Sequence, residues 1–454
     1  MMKLKDHNDI NYFPAWKIAK VVNAKLISAT DVSKIFIKRI NNLNSKLNAW
    51  VSLNHDYVIQ QSQLIDKIDF KMPLKGVPVG IKDIFNTEVF PTERGSKVWK
   101  GYMAGNDARC VSYLKDRGSV VLGKTDTAEF AVHHPGDCLN PWDISKTTGT
   151  SSGGSAVSVA TAMAPIATAT QTAGSTIRPA SWCGIFGMKP SFGLIPRTGV
   201  LKTTDTLDNI GFYGRDTLDL KLMLDSSRVH GSNFPIMQKK LQINNTPKKN
   251  WRIGFVKGHL WKHAPNYLHN DIKQIATKMN LIESIDVVEV DLPHETHEAH
   301  ELHRRIYDPC LSYYFRQELE KAPEKISDRF LEHVARGKQH SPEDYKYALN
   351  EQSLLANKME SFFQNNEIDL LLHYSSNGSA PAIEPEINLD LNLLWTLTWL
   401  PVINIPQFFC PNGLPYGMQL IGPRYSDYRI FEFMKLLSNV SLIPSLAKLA
   451  PFSS

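Results

Sequence analysis

The stretch Lys146–Ala156 reads KTTGTSSGGSA, small and polar almost throughout, with three glycines and three serines. Gly/Ser-rich segments ordinarily stay flexible. This one runs straight into VSVATAMAPIATATQTAGS, whose small, mostly apolar residues belong in an interior. A flexible linker has no place against a core, so the serines ask for a chemical reading.

Three readings compete. Gly149-Thr150-Ser151-Ser152-Gly153 matches the G-x-S-x-G nucleophile elbow, which needs an apolar strand just before the serine. The preceding NPWDISKTT is polar and carries a proline. A phosphate cradle needs Gly-Lys-Ser/Thr after its glycines, and GGSA follows instead. The third reading looks along the chain. A second small-residue loop, TQTAGS, ends at Ser175, and upstream Lys82 closes the apolar run of KGVPVGIKDIFNT. A lysine held at the inner end of such a strand loses its proton easily, because burial disfavours the charged form. Neutral lysine is a competent general base.

KGVPVGIKDIFNT, GTSSGGSAVSVATAMAP, TQTAGSTIRPASWCGIFGMKPSFG, TLDNIGFYGRD and GLPYGMQLIGP resemble, in order, the blocks of the amidase signature family. The resemblance runs collinearly from about Ala29 to the final helix. It implies a Ser–cisSer–Lys amidohydrolase without cofactor or metal, acting on a small-molecule amide. By position in the motif, Ser175 is the nucleophile, Ser151 the middle serine after a cis Thr150–Ser151 peptide, and Lys82 the base. The backbone N–H groups of Thr172, Ala173, Gly174 and Ser175 occupy the oxyanion-hole positions. Ser152 is a candidate hydrogen-bond partner of Lys82 or Ser151, or else a helix cap.

The chain departs from the common family form in several places. Gln171 stands for Asp, Ala173-Gly174 for two glycines, and Ser175-Thr176-Ile177-Arg178 for Ser-Ile-Arg, which moves Arg178 by one place. NIGFYGR replaces the usual IGP and points to a reshaped rim of the site. The alternative reading is the A-type subunit of a tRNA-dependent amidotransferase, which needs further protein partners. Another is a hydrolase of urea-derived acids, whose carboxylate would require a basic pocket residue that no motif marks. A catalytically inactive scaffold of the same fold is the alternative of a different class.

Other features narrow the field. The 51 basic and 45 acidic residues leave +6, spread without a basic stripe, so no nucleic-acid partner is expected. The N-terminal MMKLKDHNDINYFPAWK lacks the apolar core of a signal peptide. The apolar run Leu391–Pro406 is broken by Asn, Thr and Pro and is short for a membrane span. Cys110, Cys138, Cys183, Cys310 and Cys410 are odd in number and unpaired by spacing, which favours a reducing, cytoplasmic location. HETHEAHELHRR sets His294, His297, His300 and His303 at three-residue steps without an H-E-x-x-H, so a solvated helix face is expected rather than a zinc site. His133 and His134 fall where the family places substrate-channel residues. A homo-oligomer is left open.

Apolar strand runs alternate with helix patterns. SATDVSKIFIKRINNL is capped by Ser28 and carries Val32, Ile35, Phe36 and Ile40 at helical spacing. SPEDYKYALNEQSLLANKMESFF has Ser341 as cap and Pro342 in the first helical position. Gly76–Ile81, SVVLG, Trp251–Val256, Asp286–Leu292, Ile368–Tyr374 and Gly417–Gly422 read as strands. The expected fold is α/β, with a large mixed but mostly parallel sheet covered by helices on both faces. It forms a single amidase domain over 1–454. A helical layer spans about 15–70, the signature core about 72–215, a variable pocket-shaping region about 216–380 and a return to the core about 381–454.

Overall fold

The two capped helices form where their caps place them. Ser28 Oγ accepts from the N–H of Asp31 at 2.9 Å and opens the helix Ala29–Leu47. Ser341 and Asp344 form a reciprocal capping box, with Pro342 in the first turn of Pro342–Asn365. The computed structural model describes residues 7–229, 248–258, 260–383 and 390–453. The first six residues of the leader reading, 230–247 of the pocket-shaping region and 384–389 of the return segment lie outside the described residues.

Eleven strands make one sheet. They are β1 (Trp50–Leu53), β2 (Pro78–Lys82), β3 (Val120–Thr125), β4 (Ile166–Gln171), β5 (Phe186–Lys189), β6 (Asn209–Gly214), β7 (Trp251–Phe255), β8 (Ile285–Glu289), β9 (Leu370–Tyr374), β10 (Val402–Phe409) and β11 (Pro415–Ile421). Their order is β1-β3-β2-β4-β6-β5-β10-β11-β9-β7-β8. The expectation of a mostly parallel sheet is corrected. Only β3-β2-β4 and β9-β7-β8 run parallel, while every pairing from β4 through β6, β5, β10 and β11 to β9 is antiparallel. The physical reason is the connections. A crossover helix returns a strand parallel, but β10 and β11 are joined by the tight Cys410–Leu414 turn, with Gly413 at positive φ, and a tight turn can only reverse direction.

Helices cover both faces, as expected. Along β9, Leu370 and Leu372 enter one hydrophobic core while Leu371 enters the other, following the two-residue alternation of a strand. The first core takes residues from Ala29–Leu47, Asn266–Asn280 and Asp427–Asn439. The second takes residues from Ala299–Tyr314, Asp328–Gly337 and Pro342–Asn365. Among the described residues no helix is long and apolar enough to cross a membrane, and the five cysteines are buried and free. The Leu391–Pro406 run divides between a short helix, Leu393–Leu397, and β10.

Candidate active site

Lys82 is the last residue of β2 and is fully buried. The parallel neighbour β4 ends beside it at Thr170 and Gln171, and antiparallel β6 begins there at Asn209. The carboxyl ends of parallel strands and the start of an antiparallel one therefore open at one edge of the sheet. Open α/β sheets place their sites at such an edge.

The serine loop arrives at this edge without a preceding strand, as the polar NPWDISKTT implied. Its Thr150–Ser151 peptide is cis. Lys82 Nζ lies 2.7 Å from Ser151 Oγ, 2.8 Å from Ser152 Oγ and 2.8 Å from Thr170 Oγ1. Ser152 precedes the helix Gly153–Ala160 but its side chain does not cap it; the hydroxyl is turned to the lysine. That helix is entirely buried. A Cβ on Gly154 would lie 2.4 Å from the backbone N of Asp126 and 2.6 Å from Ala49 O, so only glycine lets the helix sit this close. Burial holds the Lys82 ammonium well below the usual lysine value, against the opposing pull of Asp208 and then Asp126.

Ser175 stands half-buried in the turn between β4 and the helix Ile177–Cys183. Its carbonyl accepts from Tyr213 Oη at 3.3 Å. Among the described residues its Oγ has no hydrogen-bond partner, so the fold joins Lys82 to Ser151 but not Ser175 to either. The backbone N–H groups of Ala173, Gly174 and Ser175 have no acceptor among the described residues, whereas the next two are taken. Gln171 Oε1 accepts from the N–H of Thr176 at 2.9 Å and of Ile177 at 3.0 Å, as a carboxylate oxygen would, and its Nε2 donates to Thr396 Oγ1 at 3.0 Å. Thr172 Oγ1 donates to Asp208 at 2.9 Å. That carboxylate also receives the N–H groups of Thr203 and Thr204, which ties the loop to the start of β6.

The sequence marked Arg178 only as displaced and did not mark its partner Asp390, yet the two bind this loop together. Arg178 is buried; its Nη2 donates to the carbonyl of Thr150 at 2.6 Å and its Nη1 pairs with Asp390. A Cβ on Gly174 would strike the Asp390 carboxylate, which explains a glycine there. Asp208 lay in the quoted TLDNIGFYGRD block, yet nothing in that block separated a hydrogen-bonded carboxylate from a surface one. NIGFYGR is not chiefly a rim. All of it but Arg215 forms the interior strand β6, with Tyr213 buried beneath Ser175, while Asn209 and Ile210 face a cavity of about 220 Å³.

The histidine run is corrected in part: His294 and His297 are exposed, as expected, but His300 and His303 are not on a solvated face. His294 and His297 lie in the short 3-10 turn His294–Glu298, and the helix Ala299–Tyr314 turns its histidines inward. His303 is buried, its Nε2 2.9 Å from Thr172 O, and burial lowers its pKa to about 4. His300 Nε2 accepts from the N–H of Asp390 at 3.1 Å. The inward face follows from those polar partners, which only the fold supplies. Among the described residues no group of three or more His, Cys, Asp or Glu could hold a metal ion. His133 lies beside His333 with its ring stacked at 5.1 Å, while His134 lines a separate, wider cleft.

The family model described as Amidase matches residues 31–431, and the chain belongs to that family. The A-type subunit of the glutamyl-tRNA(Gln) amidotransferase of Geobacter sp. (strain M21) is 30% identical over 90% of this chain and 93% of its own. That of Heliobacterium modesticaldum is 27% identical over 90% and 92%. Among solved structures, a 6-aminohexanoate cyclic dimer hydrolase superposes with a TM-score of 0.86 at 21% identity, over 98% of this chain and 100% of its own. The peptide amidase of Stenotrophomonas maltophilia gives 0.83 at 22%, over 97% and 99%. At these identities the structural likeness speaks to the fold.

Proposed function

We propose that this chain hydrolyses the C–N bond of a linear carboxamide through a seryl acyl-enzyme. The observation that carries the reading is the buried Lys82–Ser151 hydrogen bond of 2.7 Å beside the turn that holds Ser175. Neutral Lys82 takes the Ser151 proton as Ser151 takes that of Ser175. Ser175 Oγ bonds the carbonyl carbon, and the oxyanion faces the N–H groups of Thr172, Ala173, Gly174 and Ser175. The proton returns through Ser151 to the leaving nitrogen as the C–N bond breaks. Water then attacks the ester by the same route and frees Ser175. The unbonded Ser175 hydroxyl is compatible with this chemistry, since catalytic hydrogen bonds often tighten only with substrate bound. Ser152 and Thr170 hold the lysine amine in line. The helices Ala299–Tyr314 and Asp328–Gly337, inside the 216–380 region, shape the pocket.

The test is turnover of small amides by Lys82→Ala, Ser151→Ala and Ser175→Ala, with folding checked by circular dichroism. Each variant is expected to lose about 10³-fold or more in kcat. A folded Ser175→Ala protein that retains full activity would refute the mechanism.

The relatives named as A-type amidotransferase subunits support a second reading, in which ammonia is released for a partner. Glutamine hydrolysis that appears only with a second protein chain would select it. Hydrolysis of simple amides by the isolated chain would select the first.

A further inference from the structure

The loop from Thr172 to Ser175 is held by its carbonyls. His303 Nε2 lies 2.9 Å from Thr172 O. Thr396 Oγ1 donates to Ala173 O at 2.7 Å, and the N–H of Arg178 donates to Gly174 O at 2.9 Å. Each of these carbonyls shares a rigid plane with the N–H of the next residue, and in a trans peptide the two point in opposite directions. A donor that holds Thr172 O therefore aims the N–H of Ala173 the other way. By the same geometry Thr396 aims the N–H of Gly174, and the Arg178 N–H aims that of Ser175. These are the three N–H groups that have no acceptor among the described residues. The pattern ends with the loop: Ser175 O accepts from Tyr213, and the N–H of that plane, on Thr176, is taken by Gln171.

Only the Arg178 donor is local. The other two come from distant parts of the chain, Thr396 from the short helix Leu393–Leu397 and His303 from the helix Ala299–Tyr314. Both side chains are buried. With its pKa pushed down to about 4 by burial, His303 is neutral near neutral pH. A carbonyl can only accept, so the one ring proton sits on Nε2 and the imidazole is the donor. The Tyr307 ring packs on the imidazole at 5.3 Å and steadies it. Thr396 Oγ1 accepts from Gln171 Nε2 at 3.0 Å, which leaves its own proton for Ala173 O. Among the described residues neither side chain is hydrogen-bonded to Lys82, Ser151 or Ser175.

We propose that His303 and Thr396 are positioning residues of the oxyanion hole: each fixes one peptide plane of the loop by its carbonyl, so that the N–H groups of Ala173 and Gly174 are aimed at the oxyanion before substrate arrives. The proposal rests on the amidase reading, which makes this loop the oxyanion hole. Donors fixed in advance cost no reorganisation at the moment of reaction, and deleting one costs about 10²–10³-fold in comparable hydrolases. A plane released from its donor is free to tilt, so its N–H is on target only part of the time and the loss is smaller than outright deletion.

The experiment measures the rate at which a small fluorophosphonate labels Ser175, with the site located by peptide mapping. Ser175 Oγ bonds phosphorus as fluoride leaves and the hydroxyl proton passes to Ser151, while the phosphoryl oxygen gains charge where the oxyanion would lie. His303→Met fills the space without a donor and is expected to slow labelling about tenfold or more. His303→Gln sets an amide N–H where Nε2 stood and should recover most of that loss. Thr396→Val and Thr396→Ser form an independent pair with the same two expectations, which serves should a His303 variant fail to fold. A role in stability alone would lower the melting temperature and leave the labelling rate of the folded protein intact. Labelling of His303→Met and Thr396→Val within about twofold of wild type, or Gln and Ser variants as slow as their donor-free counterparts, would overturn the proposal. Label on a serine other than Ser175 in the wild-type protein would strike instead at the assignment of the nucleophile, so the two failures are distinct.

Discussion

Arg178 joins parts of the site that lie far apart in the chain. It reaches from the Ile177–Cys183 helix to the carbonyl of Thr150 and to Asp390, with the guanidinium 4% and the carboxylate 8% exposed. Removing one partner leaves the other charge buried and unpaired, which costs about 3–5 kcal/mol. Arg178→Gln should therefore lower the urea unfolding free energy by about 3 kcal/mol. A loss below about 1 kcal/mol would mean that water or a nearby group replaces it. The motif drew attention to Arg178 as displaced, but its partner Asp390 lies beyond two hundred intervening residues and no local pattern points to it. Lys82, by contrast, was marked by the ordered set of motif blocks, since a lysine closing an apolar run says little by itself. Its lowered proton affinity also has a kinetic sign. In the proposed mechanism the neutral amine is the base, so kcat/KM should rise with pH through a value well below that of an ordinary lysine and then level off. A profile flat from acid to alkaline pH would contradict a lysine base.

At the scale of elements, caps and strand cores were the readable features and packing faces were not. The Ser341 cap was visible because capping chemistry is local: the side chain and its N–H partner are three residues apart. Ser341→Ala should cost about 1 kcal/mol, seen as a lower melting temperature with turnover unchanged. The strands at Gly76–Ile81 and Ile368–Tyr374 were found within a residue or two of Pro78–Lys82 and Leu370–Tyr374. Direction was misjudged where a turn decides it. The signal was present in Pro411-Asn412-Gly413, whose Asn-Gly pair favours a reversal between β10 and β11. The histidine helix was misjudged because residues at three-step spacing wind slowly round the axis, so several faces were equally open to the reading. Gln171 belongs here as well. Its carbonyl closes the first turn of the helix after Ser175, and Gln171→Ala leaves two buried N–H donors unmet at about 1–3 kcal/mol. That variant should lose both stability and kcat; full activity at reduced stability would separate the turn from catalysis.

Across the whole molecule, one sheet carries both halves of the chain, and the β5–β10 pairing is the seam between them. The order of motifs could announce which blocks were present, but not that β5, inside the third block, becomes the hydrogen-bonded neighbour of β10 from the far end of the chain. A continuous sheet has no natural break, so urea unfolding followed by tryptophan fluorescence and by far-ultraviolet circular dichroism should give coincident curves. Separate midpoints would divide the chain into independent units. The same continuity brings β2, the serine loop and the β4 turn to one edge, and on that convergence the proposed chemistry stands or falls. The most direct measurement is covalent labelling with a small fluorophosphonate, followed by peptide mapping. The account predicts label on Ser175 in the wild-type protein and none in Lys82→Ala. Label on Ser151, or label on Ser175 undiminished by loss of Lys82, would contradict it.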